Sequence, residues 1–322
     1  MAVYTHVSDD DLEMFLDRYD VGALRSYKGI AKGVENTNYI VHTTKEQFIL
    51  TLYEKRVNQD DLPFFLGLME HLARRGVNCP TPLRDRNGKI LNKLAGRAAA
   101  LVSFLDGFCV GRPSVEHCGQ LGGALARLHL AGDGYMRTRA NALSVANWRP
   151  LFESFKDDAS KISPALPDLI SKNLEFLEQH WPVDLPRGII HADLFPDNVF
   201  FLSDRLSGLI DFYFACHDAL TYDVAICLNA WCFERDYAFN ITKGRALIKS
   251  YEQVRPLSSL EREAMPILAR GAAMRFLLTR CYDWLNTPQN AVVVPHDPID
   301  YIKRLRFHQS VKSIADYGHS SS

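Results

Sequence analysis

At 322 residues and 47% hydrophobic content, the chain is long enough to bury a large core and to divide into two domains or lobes. Its 37 Lys and Arg nearly cancel its 38 Asp and Glu, so no summed field draws it to nucleic acid or an anionic membrane, and phosphate chemistry must rely on local cations or a metal. The start, MAVYTHVSDDDLEMF, is acidic where a signal peptide is basic, and no apolar run approaches the roughly 20 residues of a membrane span; a cytoplasmic protein is expected. Seven cysteines, odd in number and without a C-x-x-C pair, read as reduced, buried thiols rather than a disulfide framework or zinc site.

Taken in chain order, Ser8 can cap a helix whose apolar residues Leu12, Phe15, Leu16 and Tyr19 recur at helical spacing, with Asp9 to Asp11 in its first turn. Three strand-like runs follow, LRSYKGIA, ENTNYIVHT and EQFILTLYE, and read as an antiparallel meander. A helix over about 60–75 ends at Gly76, a residue suited to a left-handed stop, and CPTP blocks its continuation. Asn87-Gly88 predicts a type I′ hairpin between PLRDR and KILNKL, and RAAALVSFL reads as a buried strand. Residues 1–105 thus form a β-rich lobe with one inserted helix.

Beyond Gly107 the pattern turns helical. Residues 114–131 place Leu121, Leu125 and Leu128 on one face, and segments near 148–158, 167–181, 219–232, 241–254 and 259–286 follow. Two short strands, NVFFL and SGLIDF, flank a turn at Ser203 to Leu206, and the tail GHSSS reads as frayed. The second lobe, 106–322, is mostly α.

Chemistry concentrates at HADLFPDN, residues 191–198, which joins the apolar run RGII to NVFFL; Asp211 closes the second strand. Phosphoryl transfer from a nucleotide needs a carboxylate to orient and accept the proton of the attacking hydroxyl, and acceptor oxygens to hold Mg2+ on the phosphates. Asp193, Asn198 and Asp211 are of those types, in the order H-x-D-x-x-x-x-N followed by a strand-borne Asp. The plain alternative makes Asp193 and Asn198 turn residues bonding their own backbone. His191, at a strand end, is read as a residue that fixes the loop by hydrogen bonds.

HADLFPDNVFF and LIDFYFACHDALTYDVA, preceded by LGGALARLHLAG, resemble the aminoglycoside phosphotransferase and choline kinase superfamily. More narrowly, GVENTNYIV, QFILTLYE, LPFFLGLMEHLARRGV and the FYFAC segment are similar to bacterial homoserine kinases of that superfamily, over roughly residues 25–300. The resemblance implies an α+β, protein-kinase-like two-lobed fold, with a small β-rich N-terminal nucleotide-binding lobe and a larger, mainly α-helical C-terminal lobe carrying the catalytic loop and acceptor pocket. It implies ATP and Mg2+, with Asp193 as catalytic base and Asn198 and Asp211 as metal ligands. Asp218 and Asp223 match two further Asp positions and are read as scaffold residues that tie loop amides and cap the helix starting near 220. The turn AKGVENTN occupies the place of the phosphate-covering loop, with Gly33, Asn36 and Asn38 as phosphate-side contacts; a hairpin turn would be equally rich in Gly and Asn. LVSFLDG stands where the interlobe hinge would offer backbone groups to adenine.

One departure stands out: Thr51 occupies the β-strand position where many relatives carry a phosphate-gripping Lys or Arg, leaving Lys32, Lys55 or Arg56 as substitutes and Asp61 or Glu70 as partners of such a cation. The implied acceptor is L-homoserine, phosphorylated to O-phosphohomoserine for threonine biosynthesis. Its carboxylate calls for an Arg, for which Arg270, Arg275 and Arg280 stand on one predicted helix. Another small alcohol (choline, ethanolamine, methylthioribose, an aminoglycoside) and a catalytically weak nucleotide-binding protein of the same fold stay open as alternatives. Neither a nucleic-acid nor a membrane partner is expected.

Overall fold

The computed structural model describes residues 5–30, 36–54, 58–288 and 294–319. Contacts group them into two units, one running to Gly107 and including Gly208–Ile210, the other formed by Phe108–Ser207 and the residues from Asp211 on.

In the first unit, helix α1 (Asp9–Leu16) begins at Ser8, whose hydroxyl accepts the Asp11 N–H at 3.2 Å, with three Asp in the first turn where the helix dipole favours them. Strands β1 (Leu24–Gly29), β2 (Thr37–Thr43) and β3 (Gln47–Tyr53) form the expected antiparallel meander. β4 (Asn92–Leu94) and β5 (Arg97–Ser103) complete a sheet of order β1-β2-β3-β5-β4. Period-2 burial along β2 turns Tyr39 and Val41 inward, where they join Leu12, Phe15, Leu50 and Leu101 in one core. Helix α2 (Leu62–Arg74) stops at Gly76 (φ +85°): the Gly76 N–H donates to Ala73 O and the Val77 N–H to Leu72 O, both at 3.0 Å, a Schellman ending.

The expectation at Asn87-Gly88 needs correction. A turn is there, but only Gly88 is left-handed, and the Asp85 carboxylate takes the Asn87 and Lys89 N–H groups at 2.9 and 2.8 Å, so a side chain rather than a strand pair organises it. PLRDR forms no regular strand, and of KILNKL only Asn92–Leu94 (β4) does, paired with β5 instead. In this unit a two-residue hairpin with both central residues left-handed stands instead at Ala95 and Gly96 (φ 49° and 73°), joining β4 to β5.

The second unit holds α3 (Val115–Ala131), α4 (Val145–Glu153), α5 (Leu166–His180), α6 (Leu220–Trp231), α7 (Ile241–Glu252), α8 (Ser259–Asn286) and α9 (Ile299–Ser310). Its short strands are β6 (Phe108–Cys109), β7 (Arg187–Ile190), β8 (Val199–Leu202), β9 (Arg205–Leu209) and β10 (Cys216–Ala219). β8 and β9 turn through Ser203 and Asp204, both left-handed. The helix expected over 148–158 starts earlier, at Val145, and gives way to a 3-10 turn over Lys156–Lys161. α9 and β10 are additions to the sequence reading. α9 buries only a narrow stripe, Tyr301, Ile302, Leu305 and His308, on an otherwise polar helix, and β10 is four residues long. All seven cysteines are free, six of them buried and Cys109 half-buried. No helix among the described residues is long and apolar enough to cross a membrane.

Candidate active site

β7 and β10 pair antiparallel, with Ile190 opposite Cys216 and Gly188 opposite Asp218. Asp218 fixes that pairing from the side: its carboxylate accepts the Ala219 N–H at 2.8 Å, accepts Asn141 Nδ2 at 2.7 Å and pairs with Arg187 Nη2 at 3.0 Å. β7 then delivers the chain into the loop 191–198.

The loop's backbone is satisfied almost group by group. Asp223, fully buried in the first turn of α6, accepts the His191 N–H on Oδ2 (2.7 Å) and the Ala192 N–H on Oδ1 (2.9 Å). The Asp193 N–H donates to Nδ1 of the buried His191 ring at 3.3 Å. Arg275 Nη1, from α8, donates to Ala192 O. Asp193 O accepts the Phe195 N–H (2.9 Å) and Asn198 Nδ2 (2.8 Å), Leu194 O accepts Trp231 Nε1 (2.8 Å), and Phe195 O accepts the Asn198 N–H (2.9 Å). These bonds hold Ala192 left-handed (φ 64°), a conformation a non-glycine residue keeps only when its surroundings over-determine it.

Asp193 is half-buried, and Asn198 Nδ2 lies 3.3 Å from its Oδ2. The Asp193 carboxylate and the Asn198 carboxamide therefore share one corner of the loop. Asp211 is exposed and left-handed (φ 65°, ψ 66°), two residues past the end of β9 rather than closing it. The next residue, Phe212, packs its ring 4.8 Å from that of His191, which sets Asp211 beside the loop.

Asp223 is itself held. His129 Nε2, from α3, lies 3.2 Å from its Oδ2, and His129 Nδ1 lies 2.8 Å from the Tyr251 hydroxyl. Burial pushes the Asp223 carboxyl up, but the hydrogen bond and charge of His129, with His191, outweigh it and bring it below the usual value. The capping role expected of Asp218 and Asp223 is not observed, because α6 starts without a side-chain cap and both carboxylates face the loop and its neighbours. His129 stands in the sequence run LGGALARLHLAG, yet nothing local marks it or Tyr251 as parts of the site.

In the first unit, Asn36 Oδ1 accepts the Glu54 N–H at 3.4 Å, and Asn38 Oδ1 accepts the Thr51 hydroxyl at 2.8 Å across the β2–β3 ladder. Both side-chain oxygens thus tie strands together. Gly33, Lys32, Lys55 and Arg56 lie outside the described residues. Glu70 is occupied on the surface by Arg74 and Arg84, each at 2.8 Å. Of the three helix arginines, Arg270 is turned to α5, where it stacks on Phe176 (3.9 Å) and bonds Asn173, and Arg275 serves the loop. Tyr222 is core, 1% exposed. Two surface hollows of about 390 and 350 Å³ lie elsewhere and contain none of these residues.

Among the described residues no three His, Cys, Asp or Glu side chains converge on one point. The donor set that Asn198 and Asp211 offer, one carboxamide and one carboxylate oxygen, suits a hard cation that arrives on nucleotide phosphates and keeps other oxygen ligands, as Mg2+ does.

Comparison with known proteins bears on this arrangement. Residues 26–257 match the model of the phosphotransferase enzyme family. A homoserine kinase of Xanthobacter autotrophicus is 61% identical over 99% of this chain and 99% of its own, and one of Rhizobium meliloti is 60% identical over 99% and 98%. Among solved structures, spectinomycin phosphotransferase in complex with ADP and spectinomycin aligns with a TM-score of 0.68 at 13% identity, covering 97% of each chain. Choline kinase from Cryptosporidium parvum aligns at 0.65 and 13%, covering 94% of each. These likenesses show the fold, α+β and protein-kinase-like, with a β-sheet N-terminal region and a helical C-terminal region. The chain belongs to the phosphotransferase enzyme family and, at about 60% identity along its whole length, to the homoserine kinases within it.

Proposed function

We propose that the chain transfers the γ-phosphoryl group of ATP to the side-chain hydroxyl of L-homoserine, giving O-phosphohomoserine for threonine biosynthesis, in the cytoplasm. Relatives near 60% identity along the whole chain support the acceptor, and the observation that carries the chemistry is the braced 191–198 loop with Asp193 and Asn198 at one corner.

In this reading Asp193 accepts the hydrogen bond of the acceptor hydroxyl, aims its oxygen in line with the phosphoryl group and takes its proton as the new O–P bond forms and the bond to ADP breaks. Most of the acceleration comes from positioning, which the hydrogen bonds on every carbonyl from Ala192 to Phe195 supply in advance. Asn198 and Asp211 are assigned to Mg2+, which when bound neutralises charge on the nucleotide phosphates. Gly33, Asn36 and Asn38 are assigned to the phosphate side of the first unit, and residues up to about 105 to nucleotide binding. His191, Asp218 and Asp223 orient the loop.

The test is ADP release with Mg·ATP, comparing L-homoserine with choline, methylthioribose, L-serine, kanamycin and no acceptor. Stimulation by homoserine is expected, and Asp193→Ala should lower kcat by about 10²- to 10⁴-fold with little change in ATP binding. Near-normal turnover in that variant would remove Asp193 from its role, and stimulation by a different alcohol would replace the acceptor.

A further inference from the structure

α8 and α9 bring two arginines onto one aromatic ring beside the catalytic loop. Tyr301 is fully buried, and the guanidinium carbons of Arg280 and Arg304 lie 4.5 and 4.6 Å from its ring centroid. Phe276 packs on Tyr301 at 5.4 Å and on Phe195 at 4.8 Å, and the Phe195 N–H donates to Asp193 O at 2.9 Å. The ring is close enough to the base that, after burial, the Asp193 charge helps to raise the Tyr301 phenol while both arginines lower it.

The two cations are under-neutralised. Arg280 reaches the Asp300 carboxylate only at 3.4 Å and Asp297 O at 3.3 Å. Arg304 donates to Asn229 O at 2.6 Å, and its buried Nε has no hydrogen-bond partner among the described residues; the Tyr301 hydroxyl likewise lacks a well-formed one. Burial, and then the neighbouring Arg304, pull Arg280 below its ordinary pKa, the signature of like charges crowded out of water. Guanidinium groups stacked on an aromatic face keep their in-plane N–H donors free for a planar anion.

We propose that Arg280 and Arg304, mounted on Tyr301, form the subsite for the carboxylate of an amino-acid acceptor. The proposal rests on the phosphotransfer reading above and adds to it the residues that set acceptor specificity. An acceptor with the hydroxyl and ammonium but no carboxylate leaves both cations partly desolvated and unpaired, so the pair selects amino acids against amino alcohols.

The decisive comparison is L-homoserine against 3-aminopropan-1-ol, which keeps the hydroxyl and ammonium at the same spacing and lacks only the carboxylate. kcat/KM for both acceptors is measured at saturating Mg·ATP for the wild type, Arg280→Gln, Arg304→Gln and Arg304→Lys, with thermal melts alongside. The wild-type preference for homoserine should fall about 10- to 100-fold in each Gln variant, through the homoserine KM, and Arg304→Lys should recover part of it. An unchanged preference ratio in both Gln variants overturns the subsite, as does a rise in the KM for ATP instead of homoserine, which would turn the pair toward the nucleotide phosphates. Arg280→Gln, which gives up two long polar contacts and its stacking on Tyr301, carries the test if Arg304→Gln fails to fold. A wild type inactive on homoserine would overturn the function and the subsite together, whereas an active wild type with an unaltered ratio would overturn the subsite alone.

Discussion

Asp223 commits each carboxylate oxygen to a backbone N–H of the 191–198 loop, 31 and 32 residues away in sequence. Asparagine in its place must turn an amide N–H toward one of those donors, leaving a buried group unsatisfied. Asp223→Asn should cost about 2–5 kcal/mol of stability and lower kcat well before it changes ATP binding, as denaturant melts and steady-state kinetics would read. Because the folded Asp223 carboxyl lies below its ordinary 3.8, its contribution is present above that value and lost as pH falls through the lower, folded one. The difference between wild type and Asp223→Asn should therefore shrink below about pH 4. His308 acts on another window. Its ring lies 2.8 Å from the Tyr317 hydroxyl and 3.0 Å from Asn229 Oδ1, and burial, with Arg304 and Arg270, pushes its pKa down to about 3. The unfolded chain then binds the extra proton first, so stability is full above about pH 6.5 and falls on acidification by up to about 1.4 kcal/mol per pH unit. Melts of His308→Gln across pH 7 to 5 should show a flatter slope than the wild type.

At the scale of elements, α3 carries His129 to Asp223, and its seat depends on a glycine. A Cβ at Gly122 would stand 2.1 Å from Leu247 O on α7, backbone that cannot step aside, whereas one at Gly119 would meet Ser250 Oγ at an ordinary 3.4 Å. Gly122→Ala should force the helices apart and cost about 1–3 kcal/mol or more, with reduced turnover as His129 shifts; Gly119→Ala should be near neutral, alanine's better helix propensity offsetting a slight crowding. Matched thermal melts of the two variants check this. The close approach explains why an apolar stripe of Leu121, Leu125 and Leu128 accounts for the burial of α3 but not for its partner.

At the scale of the whole molecule, the described side chains build no metal cage of their own, and the proposed phosphotransfer has its divalent ion carried on the nucleotide phosphates. Chelation with EDTA should abolish ADP formation and leave the melting temperature of the nucleotide-free protein unchanged; a large drop in that temperature would reveal a structural ion. The structures at 13% identity show how far sequence can drift under one fold.

Sequence alone was sufficient where a single local cause acts. Ser8 and Gly76 mark helix ends through caps a few residues long, the β1–β3 meander follows from β-branched and aromatic runs joined by turn-prone segments, and the offsets among His191, Asp193 and Asn198 place three groups on one loop whatever surrounds it. Local reading also erred where two local forces compete, as at Asn87-Gly88, where the Asp85 side chain overrode the hairpin signal. The family resemblance marked Asp223 as a residue tying loop amides, but only the tertiary structure decided what else braces that loop and what stands beside it. His129, Arg275 and the Arg280–Tyr301–Arg304 cluster come from helices far apart in the chain. No spacing rule links such residues, since their proximity is set by the packing of buried helix faces, and α9 shows too narrow an apolar stripe to announce that it packs at all.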